Sequence, residues 1–108
     1  MKNLAVLGAT GSIGRSTLNL VRNDPEEFNV FSLVANSNVA DMESLTHEFS
    51  PNVVVMNEPS AAKQLREKLN VKVMEGFDGI YAAVTDERID IVIAGIVGYA
   101  GLPSILLA

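Results

Sequence analysis

The chain has 108 residues, of which 48% are hydrophobic, and a formal net charge of −5; this bounds it to one domain with one core and argues against disorder. The absence of cysteine excludes a disulfide scaffold and a thiolate metal site and points to a reducing, cytoplasmic setting. The eight Lys and Arg form no basic stripe suited to nucleic acid, and no apolar run nears the ~18–20 residues that span a bilayer.

Met1-Lys2-Asn3 leads directly into the first strand pattern, Leu4–Gly8, without the basic-then-apolar order of a secretory leader. The run continues into Gly8-Ala9-Thr10-Gly11-Ser12-Ile13-Gly14 and then into a helical pattern that puts Gly14, Leu18 and Val21 on one face. A strand, a glycine loop and a helix in that order are the usual means by which an α/β protein grips the pyrophosphate of a dinucleotide. Gly8 lets the chain turn sharply off the strand. Gly11 lets backbone amides approach phosphate oxygens, and Gly14 lets the helix lie close to the strand. The spacing is G-x-x-G-x-x-G rather than G-x-G-x-x-G, so the flanking strand and helix carry the argument more than the glycines alone. Thr10, Gly11, Ser12 and Ile13 are the expected pyrophosphate contacts, with the hydroxyls of Thr10 and Ser12 adding hydrogen bonds. The plainer alternative is a turn whose hydroxyls cap the helix, with Ser12 as the N-cap.

Four more strand candidates follow: Val30–Ala35, Val53–Met56, Val71–Met74 and Ile89–Ala94. All are short and nearly continuous in apolar residues, as in parallel strands covered on both faces. Between them, helical spacing links Met42, Leu45 and Phe49, then Ala62, Leu65 and Leu69, then Phe77, Ile80 and Val84. Turn signals stand at Asn23-Asp24-Pro25, Ser50-Pro51-Asn52, Glu58-Pro59-Ser60 and Glu75-Gly76. The alternation predicts an α/β fold: a doubly wound, Rossmann-like parallel sheet of about five strands with helices on both faces. No repeat or linker interrupts it, so residues 1–108 read as one domain. Ile105-Leu106-Leu107-Ala108 reads as the opening turns of an apolar helix, which suggests the N-terminal piece of a longer protein.

The end of the second strand bears on the cofactor. Dinucleotide domains that take NAD place an acidic residue ~20 residues past the glycines, on the ribose 2′-hydroxyl. Val34-Ala35-Asn36-Ser37-Asn38 holds no carboxylate. Asn36, Ser37 and Asn38 offer neutral donors to a 2′-phosphate, so NADPH is expected over NADH, with Arg22 as a candidate extra cation. Asn38, three residues before Asp41, also reads as an ordinary helix cap. The third constellation, Ile93 to Gly101, would close over the crevice at the carboxyl edge of the sheet. His47 stands alone, without a partner for metal binding, and reads as a helix-surface residue. No nucleophile–base arrangement is evident, so no catalytic residue and no metal ligand is assigned.

Met1–Gly14, Ser16-Thr17-Leu18, Asn23-Asp24-Pro25-Glu26-Glu27-Phe28, Leu33-Val34-Ala35, Asn38-Val39, Glu48-Phe49-Ser50-Pro51 and Ala94–Leu102 together resemble, in order and without large gaps, the 1-deoxy-D-xylulose 5-phosphate reductoisomerase family. The resemblance implies an N-terminal NADPH-binding domain followed by catalytic and helical domains. The family rearranges and reduces its sugar phosphate to 2-C-methyl-D-erythritol 4-phosphate in non-mevalonate isoprenoid biosynthesis. It further implies that Thr10, Gly11, Ser12 and Ile13 hold the pyrophosphate, that Asn36, Ser37 and Asn38 surround the 2′-phosphate, and that Ala94 to Ala100 border the crevice. A divalent cation, Mg or Mn, is implied with ligands outside this chain, as is a homodimer of the full-length enzyme. The 108 residues alone are then expected to lack turnover. Two departures stand out. Many members carry Gly-Lys-Asn where this chain has Asn36-Ser37-Asn38, and Pro103 directly follows Leu102. The alternatives are the cofactor domain of another NAD(P)-dependent reductase, such as a semialdehyde dehydrogenase or a short-chain reductase, and a non-catalytic dinucleotide-sensing module.

Overall fold

Strands and helices alternate strictly through most of the chain. A computed structural model describes residues 2–94 and the backbone of 105–107. The elements are β1 (Lys2–Leu7), α1 (Ser12–Asn23), β2 (Phe28–Ala35), α2 (Val39–Phe49), β3 (Val53–Met56), α3 (Pro59–Lys68), β4 (Lys72–Glu75), α4 (Gly76–Thr85), β5 (Ile91–Ala94) and β6 (Ile105–Leu107). They form one sheet in the order β4-β3-β2-β1-β5-β6. The pairs β1·β2, β1·β5, β2·β3 and β3·β4 are parallel, which gives the five expected parallel strands.

The strands are apolar throughout because both faces are covered. Leu4 and Val6 face a core that includes Leu18 and Val21 of α1, Met42 of α2, and Ala61, Ala62 and Leu65 of α3. Ala5 and Leu7, the alternate residues of the same strand, face a second core built with Ile80 and Ala83 of α4. Three helices therefore cover one face and α4 covers the other. From β1 the chain steps outward through β2, β3 and β4, and α4 then returns it to β5 on the opposite side of β1. That reversal makes the gap between the carboxyl ends of β1 and β5 the switch point of the sheet, where α/β folds bind their ligands. Leu7 lies opposite Ala94 at that edge.

One irregularity has a structural use. The β1·β2 register slips between Leu4 and Ala5, so Leu4 pairs with Val30 but Ala5 pairs with Ser32. The extra residue is Phe31, which packs in the α4-side core. Ser32, fully buried, donates its hydroxyl to the Ala83 carbonyl in the last turn of α4 at 3.1 Å. Carbonyls at a helix C-terminus lack intrahelical donors, so a strand hydroxyl completes the helix end.

Three local expectations are corrected. Ile105–Leu107, expected to begin a helix, forms β6 antiparallel to β5, with Ile93 opposite Ile105 and Ile91 opposite Leu107. A short apolar run carries no period that separates helix from strand, and the free edge of β5 supplies the hydrogen bonds that favour a strand. Phe77, expected on the buried face of α4 with Ile80 and Val84, is 58% exposed; the buried residues are Gly79, Ile80 and Ala83. A Cβ on Gly79 would stand 2.9 Å from Met74 Cβ and 3.1 Å from Val55 Cγ1, so the helix turns its glycine to the sheet and lies close to it. Glu58-Pro59-Ser60, expected as a turn, contains the start of α3, where Pro59 occupies the first helical turn and its missing N–H costs nothing.

Candidate functional site

The glycine loop sits at the carboxyl end of β1, at the switch point. Gly8 takes φ 75°, the left-handed region that glycine enters without strain. Its N–H and that of Ala9 both donate to the Val34 carbonyl of β2, at 2.8 and 2.9 Å, which fixes the loop to the sheet. The Gly11 N–H donates back to the Gly8 carbonyl at 2.9 Å, and α1 begins at the next residue. Gly14 faces Gly8 across this turn. A Cβ there would come within 2.2 Å of the Gly8 carbonyl oxygen and 2.7 Å of Ala9 Cα. The helix is thereby seated on the loop, as the sequence predicted, with Leu18 and Val21 buried along the same face.

The start of α1 is open. Its N-cap is Gly11, not Ser12, and no side chain caps it. By helix geometry the N–H groups of Ser12, Ile13 and Gly14 have no acceptor within the helix. The first turn contains no acidic residue, so the positive end of the helix dipole is unopposed by the chain's own carboxylates there. A Cβ on Gly11 would meet only the Gly8 carbonyl oxygen at 3.4 Å, an ordinary contact, and its φ of −86° suits any residue. The fold itself therefore does not need glycine at position 11, and the missing side chain leaves the loop amides open to approach. Ile13 is 47% exposed beside these amides, an apolar side chain at the rim of a polar loop. Thr10, Gly11, Ser12 and Ile13 are brought together, and their backbone suits an anionic diphosphate.

The second cluster is more engaged than expected. Asn36, Ser37 and Asn38 lie exposed between β2 and α2. Asn36 Oδ1 accepts from Asn57 Nδ2 at 3.3 Å. Asn38 is the N-cap of α2, its Oδ1 accepting the Asp41 N–H at 3.1 Å, so the capping alternative describes its oxygen. Its Nδ2 donates to Asp41 Oδ2 at 2.9 Å. The strand end holds no carboxylate of its own, yet folding sets the carboxylate of Asp41 against it. That anion faces the positive end of α2, where it is favourably placed.

Arg22, the candidate extra cation, is engaged with the chain's own carboxylate. Its guanidinium grips Glu48 with two hydrogen bonds, from Nε to Oε2 and from Nη2 to Oε1, the latter at 2.8 Å, and lies 5.2 Å from the centroid of the Phe49 ring. The hydrogen bonds from Arg22 hold the Glu48 carboxyl below its usual range, although burial opposes the shift. The cation beside the glycine loop is Arg15, a residue not singled out by the sequence pattern. Its Nε donates to the Thr10 carbonyl at 2.8 Å and its Nη2 to Asp41 Oδ2 at 2.5 Å. Position four after Gly11 was a usable signal, since it stands one turn beyond the loop; its partner 26 residues away had none. Thr10, Arg15 and Asp41 line one end of a groove of about 470 Å³ between α1 and α2.

His47 is exposed on α2, as expected. Ala94 is buried at the end of β5, while the expected crevice residues 95–100 lie outside the described residues. No group of three or more His, Cys, Asp or Glu among the described residues has a metal-holding arrangement. No helix among the described residues is long and apolar enough to cross a membrane.

A mainly parallel sheet whose glycine loop and open helix N-terminus meet at its switch point places the chain among the Rossmann-like α/β domains. The family model for 1-deoxy-D-xylulose 5-phosphate reductoisomerase matches residues 4–108. The 1-deoxy-D-xylulose 5-phosphate reductoisomerase of Shewanella pealeana is 45% identical over 112 aligned residues, covering 100% of this chain and 28% of that protein. That of Desulfitobacterium hafniense is 42% identical, covering 94% of this chain and 28% of that protein. Among solved structures, DOX-P reductoisomerase in complex with magnesium superposes with a TM-score of 0.88 at 38% identity, over 96% of this chain and 27% of the other. The enzyme from Zymomonas mobilis in complex with NADPH gives a TM-score of 0.81 at 34% identity, over 88% and 26%. The chain belongs to the 1-deoxy-D-xylulose 5-phosphate reductoisomerase family. It spans just over a quarter of the length of these relatives, and the match does not favour a semialdehyde dehydrogenase, a short-chain reductase or a sensing module.

Proposed function

We propose that residues 1–108 are the NADPH-binding domain of a reductoisomerase that converts 1-deoxy-D-xylulose 5-phosphate to 2-C-methyl-D-erythritol 4-phosphate. The observation that carries the reading is the uncapped start of α1 behind the Gly8–Gly11 turn, held in place by the Gly14 contact. In it Thr10, Gly11, Ser12 and Ile13 surround the cofactor pyrophosphate: the bare Cα of Gly11 lets it approach, and the open N–H groups of Ser12 and Ile13 donate to it, helped by the helix dipole. The Thr10 and Ser12 hydroxyls add donors. Asn36, Ser37 and Asn38 border the adenosine ribose and its 2′-phosphate, and the exposed Ile13 lies along the cofactor. The bound cofactor supplies a hydride; the chain orients it and sets the field around its phosphates.

NADPH and magnesium in complexes of the related enzymes support the same cofactor and a divalent cation here. The cation is assigned to residues outside this chain. Fosmidomycin in a related structure supports a small-molecule substrate, which we assign as the sugar phosphate. We further assign a cytoplasmic location, consistent with the cysteine-free composition, a homodimer for the full-length enzyme, and no nucleic-acid or membrane partner. The 108 residues alone bind cofactor without turnover.

Calorimetric titration of the chain with NADPH and NADH tests this reading. Tighter binding of NADPH is expected. Equal affinities, or preference for NADH, would overturn the 2′-phosphate assignment, and binding of neither would overturn the dinucleotide reading. Reductoisomerase turnover by residues 1–108 alone would refute the division of labour.

A further inference from the structure

Two donors from different elements meet on one carboxylate oxygen at the rim of the cofactor site. Arg15 Nη2, from the first turn of α1, lies 2.5 Å from Asp41 Oδ2, and Asn38 Nδ2, from the N-cap of α2, lies 2.9 Å from the same oxygen. Arg15 is also anchored through Nε to the Thr10 carbonyl at 2.8 Å. Its guanidinium is thereby fixed between the loop assigned to the pyrophosphate and the turn assigned to the adenosine ribose. A cation and a neutral amide converging on one anionic oxygen would serve a phosphate monoester equally well. Here the chain supplies that oxygen itself.

We propose that Asp41 is an internal stand-in for the cofactor 2′-phosphate, and that Arg15, exchanged from Asp41 to the phosphate, is the cation that reads it. This rests on the dinucleotide reading of the glycine loop. The exchange is easy because both side chains are exposed, 62% for Arg15 and 42% for Asp41, and an exposed ion pair contributes little to stability. A phosphate monoester carries close to two negative charges and three acceptor oxygens, so it outcompetes a single carboxylate for the guanidinium. The Asn38 side chain holds the Asp41 N–H at the start of α2, so the carboxylate can turn aside from Arg15 but stays tethered beside it. Its charge stays near the incoming phosphate and weakens the preference for it. When the cofactor has only a 2′-hydroxyl, the ion pair persists and the carboxylate is available as an acceptor. Asp41 therefore sets the ratio of the two affinities, in place of the usual acidic residue at the strand end.

The test is calorimetric titration of the full chain and of two variants with NADPH and with NADH. Arg15→Gln is expected to weaken NADPH roughly tenfold, the loss of one charge-assisted bond, and to leave NADH within about twofold. Asp41→Asn keeps its backbone N–H under the Asn38 cap but removes the charge. It is expected to tighten NADPH by about three- to tenfold while NADH is unchanged or weaker. A merely structural role for either residue would move both cofactors together, and that result would overturn the proposal. So would an affinity ratio indifferent to both substitutions in a wild-type chain that binds both dinucleotides. A wild-type chain that binds neither would instead sink the dinucleotide reading, and this proposal with it.

Discussion

Gly14 lies so close to Gly8 that a single added methyl would penetrate the backbone: its carbon would stand 2.2 Å from the Gly8 carbonyl oxygen and 2.9 Å from the carbonyl carbon of Ala9. These neighbours are main chain, and the Gly8 and Ala9 amides are already tied to Val34. They cannot rotate away as a side chain would. Gly14→Ala must therefore lift α1 off β1 and open the core around Leu18. The expected cost is roughly 3 kcal/mol or more, read as a lower urea midpoint at unchanged slope. A loss below about 1 kcal/mol would mean that the helix rides more loosely on the loop than this geometry allows.

Gly11 should behave in the opposite way. Its Cβ direction meets one atom at 3.4 Å and its φ is −86°, so Gly11→Ala should change stability by only about 0.5–1 kcal/mol, the difference between Gly and Ala at an N-cap. The methyl instead intrudes where a diphosphate would approach the amides. NADPH and NADH should weaken alike, since they share the pyrophosphate. Loss of one cofactor alone would contradict the role given to position 11.

Much of the fold was legible because the strands are apolar runs buried on both sides. Val53–Met56 is bounded as expected, and the other strands differ by one or two residues at their ends. The sheet order was not spelled out by any local pattern, since a parallel crossover has the same sequence period whichever neighbour it leads to. The slip at Phe31 was likewise invisible, because Val30 to Ala35 is apolar around Ser32 on either register. In α4, Phe77, Ile80 and Val84 fit a helical stripe as well as Gly79, Ile80 and Ala83 do. Contact of Gly79 with Val55 and Met74 chose between them. At the site, the glycine loop was legible as a local strand–turn–helix signal. The Arg15–Asp41 pair was not, because it joins two helix starts 26 residues apart.

Ser32 should prove a structural hydroxyl with a measurable share in stability. It is fully buried and serves the Ala83 carbonyl at the end of α4. Ser32→Ala leaves that carbonyl without its strand donor, in a place that water does not reach. The expected loss is about 1–2 kcal/mol, with faster amide exchange in the last turn of α4 as a second readout. An unchanged melting curve would indicate that the carbonyl finds another donor.

The acid limb of stability should show the link between Asp86 and Arg88. Arg88 donates to Asp86 three times, from Nε and from its backbone N–H to Oδ1, both at 2.9 Å, and from Nη2 to Oδ2 at 2.8 Å. The same guanidinium lies 4.7 Å from the centroid of the Phe31 ring, which orients the fork. The side-chain hydrogen bond from Arg88, followed by the backbone N–H, pushes the Asp86 carboxyl down to about 2. A carboxyl lowered in the folded state favours folding when ionised. Its contribution is therefore complete above the ordinary aspartate value of ~3.9 and disappears as the pH falls toward 2. Because Arg88 is exposed and Asp86 is only partly covered, the contribution is small and falls further at high salt. Resolved NMR titration should place Asp86 near 2, and Arg88→Gln should return it toward the ordinary value. In Asp86→Asn, stability should lose its Asp86-dependent slope between about pH 4 and 2. An Asp86 carboxyl that titrates normally in the wild-type chain would show that the fork does not form in solution.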